Sequence, residues 1–256
     1  MKFMVVTHSM SLTGAPKVAI DIANYFSESS EVLLVCVNSE HKDNFRSKLK
    51  NACKIYSIPN ALITSNIINK TCNFILRKTT RKIFNVKTMW FSFLLKNLQP
   101  DIILFNTFYH TDLQNFAQGK NIPTIRYIHE NTGFLKNLTA SEINILNSSS
   151  LNIGCAPSVV KDARELGIKI DQTFYPATTD NLLDHTASSK QVTKKSRNKI
   201  LTVGSDGFRK GFGYAVDISK SLTGYEYSWY GDITDQMEQN SIKCQGLVDS
   251  VPFYKY

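Results

Sequence analysis

Lys2-Phe3-Met4-Val5-Val6-Thr7, running on through His8-Ser9-Met10-Ser11-Leu12-Thr13-Gly14-Ala15-Pro16-Lys17, is the stretch that decides how this chain folds. An apolar run of strand length breaks into a polar turn, an amphipathic segment follows from Pro16 to Phe26, and a second apolar run spans Val32 to Asn38. Strand, turn, helix, strand is the order that builds a parallel sheet, because parallel neighbours need a long crossover and a helix supplies it.

The alternation continues outward from there. Further strands are predicted at Lys54 to Ile58, Asp101 to Asn106, Thr124 to His129, Leu151 to Ala156 and Gln172 to Tyr175. Helices are predicted at Lys42 to Asn51, Ile67 to Leu98, Thr111 to Gln118, Ala140 to Ser148 and Ser158 to Leu166. After Tyr175-Pro176 the composition changes, and Asp184 to Asn198 reads as a polar linker. A second series then begins with strand Lys199 to Val203, a glycine-rich turn, helix Phe212 to Leu222, strand Tyr225 to Tyr230 and a short apolar piece at Ile242 to Val248. The expected class is α/β: two Rossmann-like domains with parallel sheets, residues 1–183 and 199–256, joined by a linker at 184–198. The second domain is expected to be incomplete, since three strands and one good helix cannot cover both faces of a sheet.

Composition narrows the function classes. A chain of 256 residues with 42% hydrophobic and 20% charged residues is ordinary for a globular protein. Its apolar runs fall far short of the ~20 residues that cross a bilayer, and its start turns polar before the apolar stretch of ~7–15 residues that a secretory signal needs. Five scattered cysteines with no C-x-x-C pair fit a reduced setting, so a cytoplasmic location is expected. The five histidines are dispersed, with no H-E-x-x-H, so no metal centre is expected. Three Asn-x-Ser/Thr triplets, at Asn69, Asn137 and Asn147, carry no weight without a secretory signal.

The net charge of +9 is concentrated. Between Lys42 and Pro100 stand twelve Lys or Arg against one acid, Asp43. Lys70 to Lys87 interleaves this charge with Phe74, Ile75, Leu76, Ile83, Phe84 and Val86. A solvated positive face is the common reading of such a run. As a contact surface it suits an anionic membrane, at the inner membrane face, ahead of nucleic acid, because no nucleic-acid module accompanies it. Salt-dependent binding to any duplex would be the mark of the nucleic-acid alternative.

Three segments could carry chemistry. The turn around Gly14 opens a helix at the carboxyl end of the first strand, a ligand position in doubly wound folds; an ordinary turn relieved by a glycine is the bland alternative. His129, in Tyr127-Ile128-His129-Glu130-Asn131, closes a predicted strand and could position a hydroxyl or stabilise developing charge, whereas most single histidines are structural. Glu130 beside it would face the other way on a continuing strand, so the two are not a dyad. The third is Val203-Gly204-Ser205-Asp206-Gly207-Phe208-Arg209-Lys210-Gly211, where Arg209 and Lys210 sit at a helix entrance. Cations there oppose the helix dipole unless an anion joins them, and a diphosphate would supply one. Walker A is excluded by the spacing. No G-x-S-x-G elbow is present.

Taken in order, several motifs resemble glycosyltransferase family 4, the retaining GT-B enzymes of bacterial surface-polysaccharide synthesis. They are Gly14-Ala15-Pro16, Ile128-His129-Glu130, Ala156-Pro157-Ser158, Tyr175-Pro176-Ala177, Ile200 to Ser205, Arg209-Lys210-Gly211, Trp229-Tyr230-Gly231-Asp232 and Gln245-Gly246-Leu247-Val248. The resemblance implies transfer of a sugar from a nucleoside diphosphate sugar to a polysaccharide or lipid-linked acceptor, with retained configuration and without metal assistance. It implies that Lys210 grips the donor diphosphate with an arginine, that His129 lies near the transferred sugar, and that the Gly14 loop flanks donor phosphate and acceptor. The family's arginine often follows the strand glycine directly, where this chain has Ser205; Arg209 is the candidate in its place. The family also carries two glutamates eight residues apart beyond the Gln245-Gly246-Leu247 region, and this sequence stops at Tyr256 before them. Little or no transferase activity is therefore expected of the polypeptide as it stands, and a non-catalytic binding module or membrane-surface remnant of such an enzyme is the alternative.

Overall fold

The structure is a computed structural model, and it describes residues 1–10, 14–37, 46–50, 53–57, 86–176, 198–204, 211–231 and 243–244. The chain divides into two compact units, Met1–Ala177 and Thr178–Tyr256.

The first unit is built on seven strands: β1 (Lys2–Thr7), β2 (Glu31–Cys36), β3 (Cys53–Ser57), β4 (Ile102–Phe105), β5 (Thr124–Ile128), β6 (Leu151–Gly154) and β7 (Gln172–Thr173). All pairings are parallel, in the order β3-β2-β1-β4-β5-β6-β7. The α/β expectation therefore holds. Its helices are α1 (Gly14–Phe26), α2 (Val86–Leu98), α3 (Thr111–Gln118), α4 (Thr132–Leu135), α5 (Ala140–Asn147) and α6 (Pro157–Glu165).

Why the sheet is covered on both sides follows from the period of two along a strand. Met4 and Val6 of β1, with Leu33, Val35, Ile103 and Phe105, pack against Phe91, Leu94 and Leu95 of α2 and Leu113 and Ala117 of α3. The intervening Phe3 and Val5, with Val32, Leu34 and Leu104, pack against Ala19, Ile20 and Ala23 of α1. A strand buried on both faces reads as a continuous apolar run, which is what Met4-Val5-Val6 and Val32 to Cys36 are. A third cluster, including Phe108, Ile128, Leu146, Val160 and Ile170, lies beneath α4, α5 and α6. Each large side chain so buried contributes about 1.5–3 kcal/mol.

Two local signals show at helix starts. Thr139 and Glu142 form a reciprocal capping box on α5. The short α4 was not predicted; Asn131 creates it by accepting from the amide of Gly133 at 3.2 Å. Of the predicted helix Lys42 to Asn51, residues 46–50 are described, and after Arg46 they form a turn, not a continuing helix; of the predicted helix Ile67 to Leu98, only α2 lies within the described residues.

The second unit contains β8 (Lys199–Val203), α7 (Phe212–Ser221), β9 (Glu226–Tyr230) and β10 (Lys243–Cys244), again parallel, in the order β10-β9-β8. Trp229 is its anchor, fully buried and set edge-on to Phe212 at 5.1 Å between ring centroids. Among the described residues only one face of this sheet is covered, and Leu201 and Val203 of β8 stand 49% and 60% exposed. The predicted linker lies outside the described residues except for Asn198.

Candidate functional site

From β1 the chain moves to β2 and β3 on one side of the sheet, then crosses to β4 and β5 on the other. The order thus reverses between β1 and β4, and a crevice opens beyond the carboxyl ends of strands at such a point. The residues just past those ends are His8 after β1, Asn106 after β4 and His129 after β5.

Asn106 ties them together. Its backbone amide donates to the carbonyl of Val6 at 2.9 Å, its side-chain Nδ2 donates to the carbonyl of Ala15 in the first turn of α1 at 2.5 Å, and its Oδ1 lies 2.9 Å from Nε2 of His129. Asn106 is fully buried. Gly14, where α1 begins, has φ +52°, and a Cβ there would meet nothing within 4 Å. The demand for glycine at this turn is therefore conformational, as it comes from the left-handed backbone and no neighbour among the described residues crowds the position.

Burial, reinforced by the nearby His8, holds the imidazole of His129 down to about 4. It is neutral at pH 7. His8 is itself lowered by burial, and its Nδ1 is buried without a partner among the described residues. His110 is lowered to about 3, first by burial and then by Lys87, Arg126 and His8. Three histidines that are far apart in sequence therefore share one edge of the sheet. Among the described residues no group of three or more His, Cys, Asp or Glu could hold a metal ion.

Behind the site lies a polar frame that sequence reasoning missed. Arg126 of β5 is fully buried; its Nη1 donates to the carbonyls of Thr107 and Tyr109 at 2.7 and 2.6 Å, its Nε donates to Oε1 of Gln114 at 2.9 Å, and Nη2 reaches the same oxygen. Its guanidinium also lies over the ring of Phe105 at 4.5 Å. Burial pulls it down to about 9, against the opposing pull of Glu130 and Asp112, so it stays charged at neutral pH. Thr107 links the two charges: its hydroxyl donates to Oε1 of Glu130 at 2.8 Å. The amides of His129 and Phe108 donate to Oε2 of Glu130 at 3.0 and 3.4 Å, while burial pushes that carboxyl above its ordinary value. Glu130 thus folds back onto its neighbour's backbone, and the His129 ring bonds Asn106 instead of forming a carboxylate dyad. A signal for this frame was present in Thr124-Ile125-Arg126-Tyr127-Ile128, since a cation inside an apolar strand must find partners if it is buried.

Of the donor-side residues expected from sequence, Gly204 is described, whereas Ser205, Arg209 and Lys210 lie outside the described residues. Gly204 donates its amide to Tyr230 at 2.9 Å and accepts from Nε1 of Trp229 at 2.7 Å. Both of its backbone groups are thereby used, so any phosphate contact from this turn falls to later residues. Gly211, with φ +74°, is the left-handed N-cap of α7, which has no side-chain cap. Within the basic stretch Lys70 to Lys87, only Lys87 and its predecessor Val86 are described; Lys87 is paired with Asp112 at 2.6 Å. Among the described residues no helix is long and apolar enough to cross a membrane.

No protein-family model matches the chain, and no curated protein matches it in sequence. Solved structures do. The chain is similar to HepE of Anabaena, solved in complex with UDP and glucose, with TM-score 0.70 and 14% identity over 98% of this chain and 71% of that one. It is similar to sucrose-phosphate synthase from Thermosynechococcus elongatus, with TM-score 0.68 and 13% identity over 97% of this chain and 71% of that one. It is also similar to the lipopolysaccharide outer core galactosyltransferase WaaB, with TM-score 0.59 and 16% identity over 99% of this chain and 70% of that one. At these identities the likeness speaks for the fold, which is that of the GT-B class: α/β, with two Rossmann-like units built on parallel sheets.

Proposed function

We propose that this chain belongs to the retaining glycosyltransferases of family 4 and binds a nucleoside diphosphate sugar as donor, with a polysaccharide or lipid-linked acceptor. The observation that carries the reading is a neutral imidazole, His129, held by Asn106 at the switch point of a GT-B sheet beside the glycine turn that opens α1. HepE binds UDP and glucose, and WaaB is a transferase of lipopolysaccharide core, which favours this donor class and this acceptor class.

In this reading His129 lies near the transferred sugar, and the Arg209-Lys210 pair of the sequence supplies the cations that grip the donor diphosphate. A ring that is neutral at pH 7 is no proton donor to the leaving group. The bond from the anomeric carbon to the diphosphate breaks with its electron pair on the diphosphate oxygen while the acceptor hydroxyl oxygen bonds to the anomeric carbon from the same face; the hydroxyl proton passes to the departing diphosphate, whose remaining charge fixed cations and helix amides stabilise. No metal is required for this step. Contact of Lys70 to Lys87 with an anionic membrane is part of the same proposal and rests on composition; sedimentation with phosphatidylglycerol vesicles, set against phosphatidylcholine, tests it.

The test of the donor site is a thermal-shift panel of UDP, UDP-glucose and other nucleoside diphosphate sugars, repeated with Lys210→Ala. A ligand at 100 times its Kd stabilises by about 2.7 kcal/mol, a shift easily read. Stabilisation lost in Lys210→Ala is expected. A panel without any shift, or an undiminished shift in the variant, overturns the assignment.

A further inference from the structure

We propose that Asn106 is a positioning residue that fixes one tautomer of His129 from the first turn of α1. The inference rests on His129 being a site residue, as proposed above, but its chemistry resides wholly in the described residues of the first unit.

A chain of donors and acceptors determines the tautomer. The carbonyl of Ala15 can only accept, so the Asn106 atom 2.5 Å from it is the amide nitrogen. The other end of the same amide is then an oxygen, which also only accepts, so the Nε2 of His129 that lies 2.9 Å away carries the hydrogen. A neutral imidazole has one N–H, and Nδ1 is left with the lone pair. Turning the Asn106 amide over would set its oxygen against the Ala15 carbonyl, two acceptors face to face, with the Asn106 side chain itself fully buried. That arrangement leaves the buried Asn106 oxygen and the Ala15 carbonyl without a donor, which disfavours it.

Other contacts hold the ring in place. The ring of Tyr127 packs against it at 4.2 Å between centroids, and the amide of His129 is held by Glu130 at 3.0 Å. Asn106 cannot drift, because its own amide is part of the sheet through Val6. The consequence is chemical selectivity. The nitrogen that His129 has left for a ligand is a hydrogen-bond acceptor; it takes a hydroxyl and refuses a carbonyl or carboxylate oxygen.

The experiment is long-range proton–nitrogen NMR on the full chain carrying nitrogen-15 histidine, with His129→Gln used to assign its ring among the five histidines. The unmodified chain is expected to show a protonated Nε2 and an unprotonated Nδ1 from pH 6 to 8. Asn106→Ala is expected to release the ring to a mixture of tautomers. Asn106→Asp keeps an acceptor for Nε2 but places a carboxylate beside the ring, and is expected to raise its titration by about one pH unit or more. A protonated Nδ1 or a mixture in the unmodified chain overturns the proposal, as does a ring unchanged in Asn106→Ala. If Asn106→Ala fails to fold, the unmodified chain and Asn106→Asp still decide it. No ligand enters these spectra, so a locked ring with a silent nucleotide-sugar panel removes the transferase reading alone, and a mixed ring with a positive panel removes this inference alone.

Discussion

Nη1 of Arg126 donates to the carbonyl of Thr107 at 2.7 Å, and through that residue's hydroxyl the buried cation is joined to Glu130 without touching it. Among the described residues Arg126 has no direct carboxylate partner. Its compensation comes from neutral oxygens, two carbonyls of the loop that follows β4 and the Gln114 side chain of α3, so the loop bearing Asn106 and the charge inside β5 are held in place by each other. Removing the guanidinium in Arg126→Met leaves three acceptors dry, on Thr107, Tyr109 and Gln114. A loss of at least about 3 kcal/mol is expected in urea unfolding of the first unit. Arg126→Lys should also lose stability, because one ammonium cannot serve both sides of the fork. A Lys variant as stable as the parent would show that the fork geometry does not matter.

Gly231 faces the opposite constraint to Gly213. A Cβ on Gly231 would overlap the carbonyl oxygen of Gly204, whereas one on Gly213 meets nothing within 4 Å. Both atoms at the Gly231 site are backbone, so neither can swing aside. Gly231→Ala is expected to cost the second unit roughly 2–3 kcal/mol. Gly213→Ala, in the first turn of α7, should be neutral or stabilising by up to about 1 kcal/mol. Trp229 fluorescence in a Trp90→Phe background, where it is the only tryptophan, follows both variants.

Acid should weaken the first unit before it protonates the site. Unfolded imidazoles titrate near 6.5, while His129 and His110 in the fold are held at about 4 and about 3. Between those values the unfolded chain takes up protons that the fold refuses. Stability is thus intact above about pH 6.5 and falls as the pH drops toward 4. Glu130, raised by burial, works in the other direction, since it accepts its proton earlier in the fold than in the unfolded chain. The urea midpoint is expected to be lower at pH 5 than at pH 7.5. His110→Asn, which keeps a residue tolerant of φ +65° and removes one titration, should narrow the gap.

Tyr127 reaches from the site to the end of the first unit. Its ring packs on His129 and its hydroxyl donates to the carbonyl of Phe174 at 2.6 Å. Burial raises the phenol to about 12, so it remains a donor at any physiological pH. Tyr127→Phe is expected to cost about 1 kcal/mol and to speed amide exchange in residues 172–176. Exchange in that segment unchanged from the parent would mean that the hydroxyl does not restrain it.

The order of elements was legible in the amino acids. Continuous apolar runs such as Met4-Val5-Val6 and Val32 to Cys36 are local properties, and each predicted strand of the first unit appears within a few residues of its expected bounds. Even α3, at Thr111–Gln118, matches its predicted span, because its apolar period and its breakers both lie within a few residues of sequence. What lies beside what was not legible. His8, Asn106 and His129 belong to three strands that become neighbours only when the sheet takes the order β1-β4-β5.

The sequence alone settled the α/β class, the crossovers and the edge of the sheet at which His129 would stand, because periodicity and turn chemistry act over one or two turns of chain. The tertiary structure alone decided which oxygen faces Nε2 of His129, how deeply the imidazole is buried and hence that it is neutral, and that Arg126 satisfies itself on carbonyls. Protonation and hydrogen-bond partners depend on desolvation and on groups tens of residues away, and those are set only when the whole sheet packs.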